Sequence, residues 1–161
     1  MARYIRVIEP ASTLNARILL NDDLAPQSAE ALWQIAGGEG AHFAQHAMWT
    51  GPEISCPILK PRFPASPLFD DIPLENATSF PPIGAIATVF ARKGTWAGMP
   101  PHDLFDIGLF YGPGARMLMP MGWIMASIAG QVVDEDLADF QTGCQAIRRD
   151  GVCELRFEQL P

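Results

Sequence analysis

The segment Pro81-Pro82-Ile83-Gly84 cannot sit inside a helix, because proline lacks the amide that a helix needs and restricts the residue before it. It runs directly into the apolar stretch Ile83–Ala91, so this part of the chain is read as a strand. The same punctuation recurs along the sequence. Thr50-Gly51-Pro52 separates Phe43–Trp49 from Glu53–Ile58, and Pro10-Ala11-Ser12-Thr13 separates Arg3–Glu9 from Leu14–Leu20. Gly112-Pro113-Gly114 closes Leu104–Tyr111 ahead of the apolar run Met117–Ile128, and Asp150-Gly151 precedes Val152–Phe157. Each run is short and bounded by turn residues, which is the pattern of an all-β meander.

Two segments break that pattern. Pro26 is placed to open a helix, with Ala29, Leu32, Trp33 and Ala36 on one face and Gly37-Gly38 ending it. A second helix is expected from an N-cap near Asp134, with Leu137, Phe140, Cys144 and Ile147 on one face. Lys60–Leu74, rich in proline, and Gly94–Pro101 are read as loops. About eight strands with two helices imply a mainly β fold: a closed or nearly closed antiparallel barrel with helices over its ends. No internal repeat or domain boundary is visible, so residues 1–161 are read as one domain.

Charge narrows the partners. With 18 acidic against 11 basic residues the formal charge is −7, and the basic residues are scattered, so nucleic acid and anionic membrane surfaces are expected to be repelled. The longest apolar stretch, Met117 to Ala129, is too short to span a bilayer. The amino-terminal residues lack a signal-peptide core, and three cysteines without a Cys-x-x-Cys spacing fit reduced thiols. These features predict a cytoplasmic protein. A charged fraction of only 18% with four tryptophans makes self-association a further expectation.

The order of short motifs resembles the cyclophilin-like proteins classed as a bacterial and archaeal family of unknown function. The residues that carry it are His46-Ala47-x-Trp49-x-Gly51-x-Glu53, Glu75-Asn76-x-Thr78-x-Phe80-Pro81 ahead of Gly84, Tyr111-Gly112, and Gly122 followed by Ala126-x-Ile128. The resemblance covers roughly residues 3 to 157 and implies a cyclophilin-like barrel capped by helices. Where the family pattern has asparagine after the glycine, this chain has Trp123. The Phe-His-Arg strand and Gln-Gly-Gly segment of prolyl isomerases are missing, so that activity is not expected.

The candidate site residues follow from chemistry. A Thr50–Pro52 turn that folded the chain back would bring Glu53 to His46, giving a carboxylate general base and an imidazole acid or orienting partner. Arg116 and Tyr111, on either side of a Gly-Pro-Gly turn, form the expected substrate clamp, joined by Trp49 and Trp123 on the binding side. A metal site from His42, His46 and Glu39 is not expected, because two histidines four apart on a strand are roughly 13 Å apart. No Gly-x-Gly-x-x-Gly, Walker or Gly-x-Ser-x-Gly pattern is present, and no cofactor is expected. The sequence thus points to a cofactor-independent enzyme, preferably a hydrolase, acting on a small cyclic amide, imide, lactone or carboxylate. The alternative is a non-catalytic small-molecule-binding or accessory module.

Overall fold

The computed structural model describes residues 2–161. Its strands are β1 (Tyr4–Glu9), β2 (Leu14–Leu20), β3 (His42–His46), β4 (Glu53–Leu59), β5 (Ala77–Thr78), β6 (Ala85–Ala91), β7 (Leu104–Phe110), β8 (Leu118–Met119), β9 (Gly122–Trp123), β10 (Ala126–Val132) and β11 (Val152–Gln159). Helix α1 (Pro26–Ala36) follows β2, and α2 (Leu137–Asp150) precedes β11. Eight strands pair antiparallel in the order β2-β1-β11-β3-β4-β7-β6-β10, and β10 pairs back with β2. The sheet is therefore a closed barrel with two helices, as expected. Closure leaves no long edge to pair with another chain, while the two-residue β5 attaches to β10 outside the ring.

Alternation along the strands decides where the core lies. Ile5 and Val7 on β1, Leu14, Ala16, Ile18 and Leu20 on β2, and Leu155 and Phe157 on β11 point inward and are buried. They merge with Ala29, Leu32 and Ile35 of α1 and Phe140, Cys144 and Ile147 of α2 into one apolar cluster. Strands β4, β7 and β6 differ, because both of their faces are covered. Ile54, Cys56, Ile58, Phe105, Ile107 and Leu109 fill the barrel, while Ala85, Ala87 and Phe110 pack outward against Ala115, Met117 and Ala126 in a second cluster. The cover is a strap, residues 112–125. It is held by the Met117 amide donating to the Ser79 carbonyl (2.8 Å) and the Arg116 amide donating to the Thr50 carbonyl (3.0 Å).

Three expectations need correction. The strand expected over Phe43–Trp49 ends at His46, because residues 47–52 bend to bring the Ala47 amide onto the Glu53 carbonyl (2.9 Å). The expected strand Met117–Ile128 is interrupted: β8 and β9 form a tight hairpin around Pro120-Met121, Gly122 has φ +117°, and only Ala126 onward joins the barrel. Helix α2 begins at Leu137 after a 3₁₀ turn, Asp134–Asp136. Asp134 does not cap it, and Asp136 accepts from the backbone amide and guanidinium of Arg17 (2.8–2.9 Å), tying the helix to β2. The first amides of α1 are satisfied from a distance, by Glu75 accepting from Gln27 (3.2 Å) and Ser28 (2.8 Å). Among the described residues no helix is long and apolar enough to cross a membrane.

The docking of α2 makes a test. Gly143 faces the backbone of Leu14, and a Cβ there would lie 2.9 Å from the Leu14 Cα. Alanine improves helix propensity by about 1 kcal/mol, but overpacking against backbone costs about 1–3 kcal/mol. Gly143→Ala is expected to lower the midpoint of urea unfolding. A raised midpoint would show that α2 is free to shift outward.

Candidate functional site

On the outer face of β4 and β7, the register sets Ser55 opposite Gly108 and Pro57 opposite Asp106, with Glu53 one pair further along against Phe110. Glu53, Ser55 and Asp106 therefore share one face, the one away from the barrel interior. The Trp49 bend and the strap border a partly open cavity of about 200 Å³ over it. Its polar lining is Gln45, His46, Thr50, Glu53, Ser55 and Asp106, and its walls are apolar, chiefly Met48, Trp49, Val89, Trp96, Met117 and Ile124. This volume suits a small metabolite. The strap and the Thr50 turn meet back to back at Gly51, where a Cβ would stand 3.2 Å from the Gly114 carbonyl oxygen.

Glu53 is only 3% exposed. One of its oxygens accepts from the Thr50 hydroxyl, and the other lies across β7 where Gly108 has no side chain. A Cβ on Gly108 would collide with Glu53 Oε1 and sit 2.8 Å from the Phe110 ring, so glycine there is what lets the carboxylate lie flat. Asp106 accepts from the Ser55 hydroxyl (2.8 Å) and faces the cavity. Burial, and then the charge of Asp106, push the Glu53 carboxyl up to about 8 against the opposing Thr50 bond. Burial likewise pushes Asp106 up to about 6, while Ser55 and the Ile107 amide hold it back. Two acids that disfavour each other's charge titrate as a pair, one proton being retained across neutral pH.

His46 does not bond to Glu53. Its Nδ1 lies 2.9 Å from the Ala47 carbonyl, which can only accept, so Nδ1 carries the proton. Nε2 is then an acceptor, and the Tyr111 hydroxyl, 2.8 Å away, donates to it. Burial, followed by the Arg148 charge opposed by the Ala47 bond, keeps the imidazole below its ordinary pKa and hence neutral at pH 7. The expected Glu53–His46 pair is thus replaced by two separate arrangements on either side of the Ala47-Met48 segment. Glu53 and Asp106 lie in the cavity. His46 stands at its edge, and with Tyr111 also lines an open groove alongside Arg116, Gln141, Gln145, Arg148 and Arg149.

Of the expected site residues, Glu53, His46 and Trp49 line the cavity, and Arg116 and Tyr111 line the groove with His46. Trp123 lines neither. It is exposed on the β8–β9 hairpin and packs against Phe80, with ring centroids 5.4 Å apart. His42 packs at 6.3 Å against Phe157. The sequence reading missed Asp106, Ser55, Trp96, Arg148 and Arg149. Asp106 had a visible signal, since it is the one charge within the apolar strand Leu104–Phe110. The Glu75-Asn76-x-Thr78-x-Phe80 motif is structural: Glu75 caps α1, and Thr78 accepts from the Phe80 amide (3.0 Å). The thiols are quiet, because burial raises Cys56 and Cys144 far above the ordinary range and Cys153 to about 11.

A closed antiparallel barrel capped by two helices, with an acid-bearing cavity under an external strap, defines the class of protein. The chain belongs to the family described as protein of unknown function (DUF3830), whose model matches residues 8–159. The closed antiparallel barrel with two helices implied by the motifs is the one found. Among solved structures, the chain is similar to McbB in complex with tryptophan, at 16% identity and a TM-score of 0.65 over 96% of this chain and 44% of McbB. The chain therefore spans less than half the length of McbB. It also matches a cyclophilin-type peptidyl-prolyl cis-trans isomerase from Cryptosporidium parvum, at 13% identity and a TM-score of 0.46 with both chains covered in full. No curated protein matches the chain.

The buried acids make stability depend on pH with a definite sign. An unfolded glutamate titrates near 4.3, below the folded value of about 8 for Glu53. The Glu53 contribution is therefore fully present at low pH and is lost as pH rises from about 5 to about 8. The lowered values of His42 and His46 act in the opposite direction, so the difference between wild type and variant carries the test. Glu53→Gln is expected to flatten the fall in Tm over this range. An equal slope in both proteins would show that Glu53 ionises as an ordinary carboxylate.

Proposed function

We propose that this chain is a cofactor-independent acid–base enzyme acting on a small polar carbonyl compound, with hydrolysis of a cyclic amide, imide or lactone as the preferred reaction. The observation that carries this reading is the pair of buried carboxyls, Glu53 and Asp106, facing one cavity with both pKa values raised. A pair holding one proton supplies both a base and an acid near neutral pH. The ionised member takes a proton from water as its oxygen bonds to the substrate carbonyl carbon. The protonated member gives its proton to the leaving nitrogen or oxygen as the carbon–heteroatom bond breaks, so the pair ends with the same single proton. Proton transfer between two carbons of a substrate would use the same two groups.

In this reading the acid role expected of His46 passes to Glu53, whose carboxyl is raised further, and the base role expected of Glu53 passes to Asp106. His46 and Tyr111 become positioning residues that fix the cavity edge through the Ala47 carbonyl. Trp49 and Trp96 shield the reacting centre from water, which strengthens every electrostatic interaction inside. Arg116 and Tyr111 remain on the substrate side, at the groove. The competing reading is a non-catalytic ligand-binding or accessory module. Its supporting feature is the exposed apolar face of Phe80, Leu118, Met121, Trp123 and Met125, which also favours self-association.

Incubation of the purified chain with cyclic amides, imides and lactones, followed by mass spectrometry of products, tests the enzyme reading. Glu53→Gln and Asp106→Asn are each expected to lower turnover about 10²–10⁴-fold. The wild-type rate is expected to follow a bell-shaped pH profile. A ligand that binds in the cavity but is never converted by wild type would favour the binding module.

A further inference from the structure

We propose that the groove beside His46 and Tyr111 is an oxyanion-binding subsite, holding a carboxylate or phosphate group at the charged end of the substrate. Arg116 reaches it from the strap, and Arg148 and Arg149 reach it from the last turn of α2. Five of the chain's 11 basic residues, Arg3, Arg17, Lys60, Arg92 and Arg156, are ion-paired. Among the described residues, the three arginines of the groove form no ion pair, and no aspartate or glutamate lines it. In a chain of charge −7, three arginines lining one groove without an acid among its walls form a local positive patch that suits an anion.

The helix presents these groups as a set. Gln141, Gln145, Arg148 and Arg149 follow at i, i+4, i+7 and i+8, one stripe of α2, while Phe140, Gly143, Cys144 and Ile147 are buried against the barrel. Basic residues in a last helical turn also complement the helix dipole, which accounts for part of the placement of Arg148 and Arg149. It does not account for Arg116, which lies on a different element, or for the lack of acids in the groove lining. Guanidinium forks match the paired oxygens of carboxylate and phosphate, and the glutamine amides add neutral donors. Gln141 already spends its Nε2 on the Tyr111 carbonyl (2.9 Å), leaving Gln145 free for the ligand.

The groove and the cavity share His46, Ala47 and Met48 as a common wall, so an anion in the groove lies next to the reacting centre. Arg148 stands beside both the Tyr111 hydroxyl and the His46 ring. An anion paired with Arg148 offsets the positive charge that disfavours imidazolium, so the His46 resonances report occupancy. The inference rests on the cavity reading only in treating the anion as part of the substrate. Binding to the groove is measurable without turnover.

Calorimetric titration of the full chain at low salt with succinate and with inorganic phosphate tests this, repeated on Arg116→Ala, Arg148→Ala/Arg149→Ala and Glu53→Gln. Saturable one-to-one binding of at least one dianion is expected, weakened about tenfold or more by either arginine variant. Binding is expected to be unchanged in Glu53→Gln, and the His46 ring signals of wild type are expected to move during titration. Succinate binding alone would identify a carboxylate site, and phosphate binding alone a phosphoryl site. Failure of both dianions to saturate, or binding indifferent to both arginine variants, would overturn the subsite. Loss of turnover in Glu53→Gln with anion binding intact would support the cavity reading and the groove separately.

Discussion

The site depends on covering the outer face of β4, β7 and β6. A barrel of this size fills its interior with side chains, here Ile54, Cys56, Ile58, Phe105, Ile107 and Leu109, and leaves no room inside for a ligand. The pocket has to be made outside, and the strap of residues 112–125 makes it by packing Ala115 and Met117 over Ala85, Ala87 and Phe110. Under that cover a carboxylate is deprived of water, and the cost of charging it rises. The raised pKa values of Glu53 and Asp106 follow from this enclosure, and Gly108 gives the Glu53 carboxylate space to lie within it.

Much of the fold was legible in the chain. β2 and α1 fall on the residues expected, because alternation in Leu14–Leu20 and a helical stripe after Pro26 are local signals. Barrel closure followed from the number and spacing of strands. The strap was not legible. Met117–Ile128 is continuously apolar, and nothing in its composition separates a strand within the sheet from a hairpin lying on top of it. The start of α2 was misplaced because Asp134, Glu135 and Asp136 are all plausible caps, and only the tertiary partner Arg17 decides what Asp136 does.

The site was half legible for the same reason. Glu53 and His46 are close in the chain and were expected to pair, but pairing depends on which way each side chain points. Opposite His46 the register places Ile54, a barrel-facing residue, whereas Glu53 lies on the outer face. At the end of β3 the His46 ring therefore turns to the Ala47 carbonyl and the Tyr111 hydroxyl at the cavity edge rather than to Glu53. The acid partner of Glu53 came instead from a strand more than fifty residues away in sequence. Sequence spacing gives no access to such a neighbour, although a lone aspartate in an apolar strand marks the position.

The account stands on one carboxyl of the Glu53 and Asp106 pair keeping its proton at neutral pH, and carbon-13 NMR of the side-chain carboxyls across a pH titration observes it directly. The account predicts that one carboxyl stays protonated at neutral pH and that both members titrate above the ordinary carboxylate range. Asp106→Asn is then expected to bring the Glu53 value down while burial keeps it raised. Titration of every glutamate and aspartate carboxyl near the ordinary values of about 4 would contradict the account.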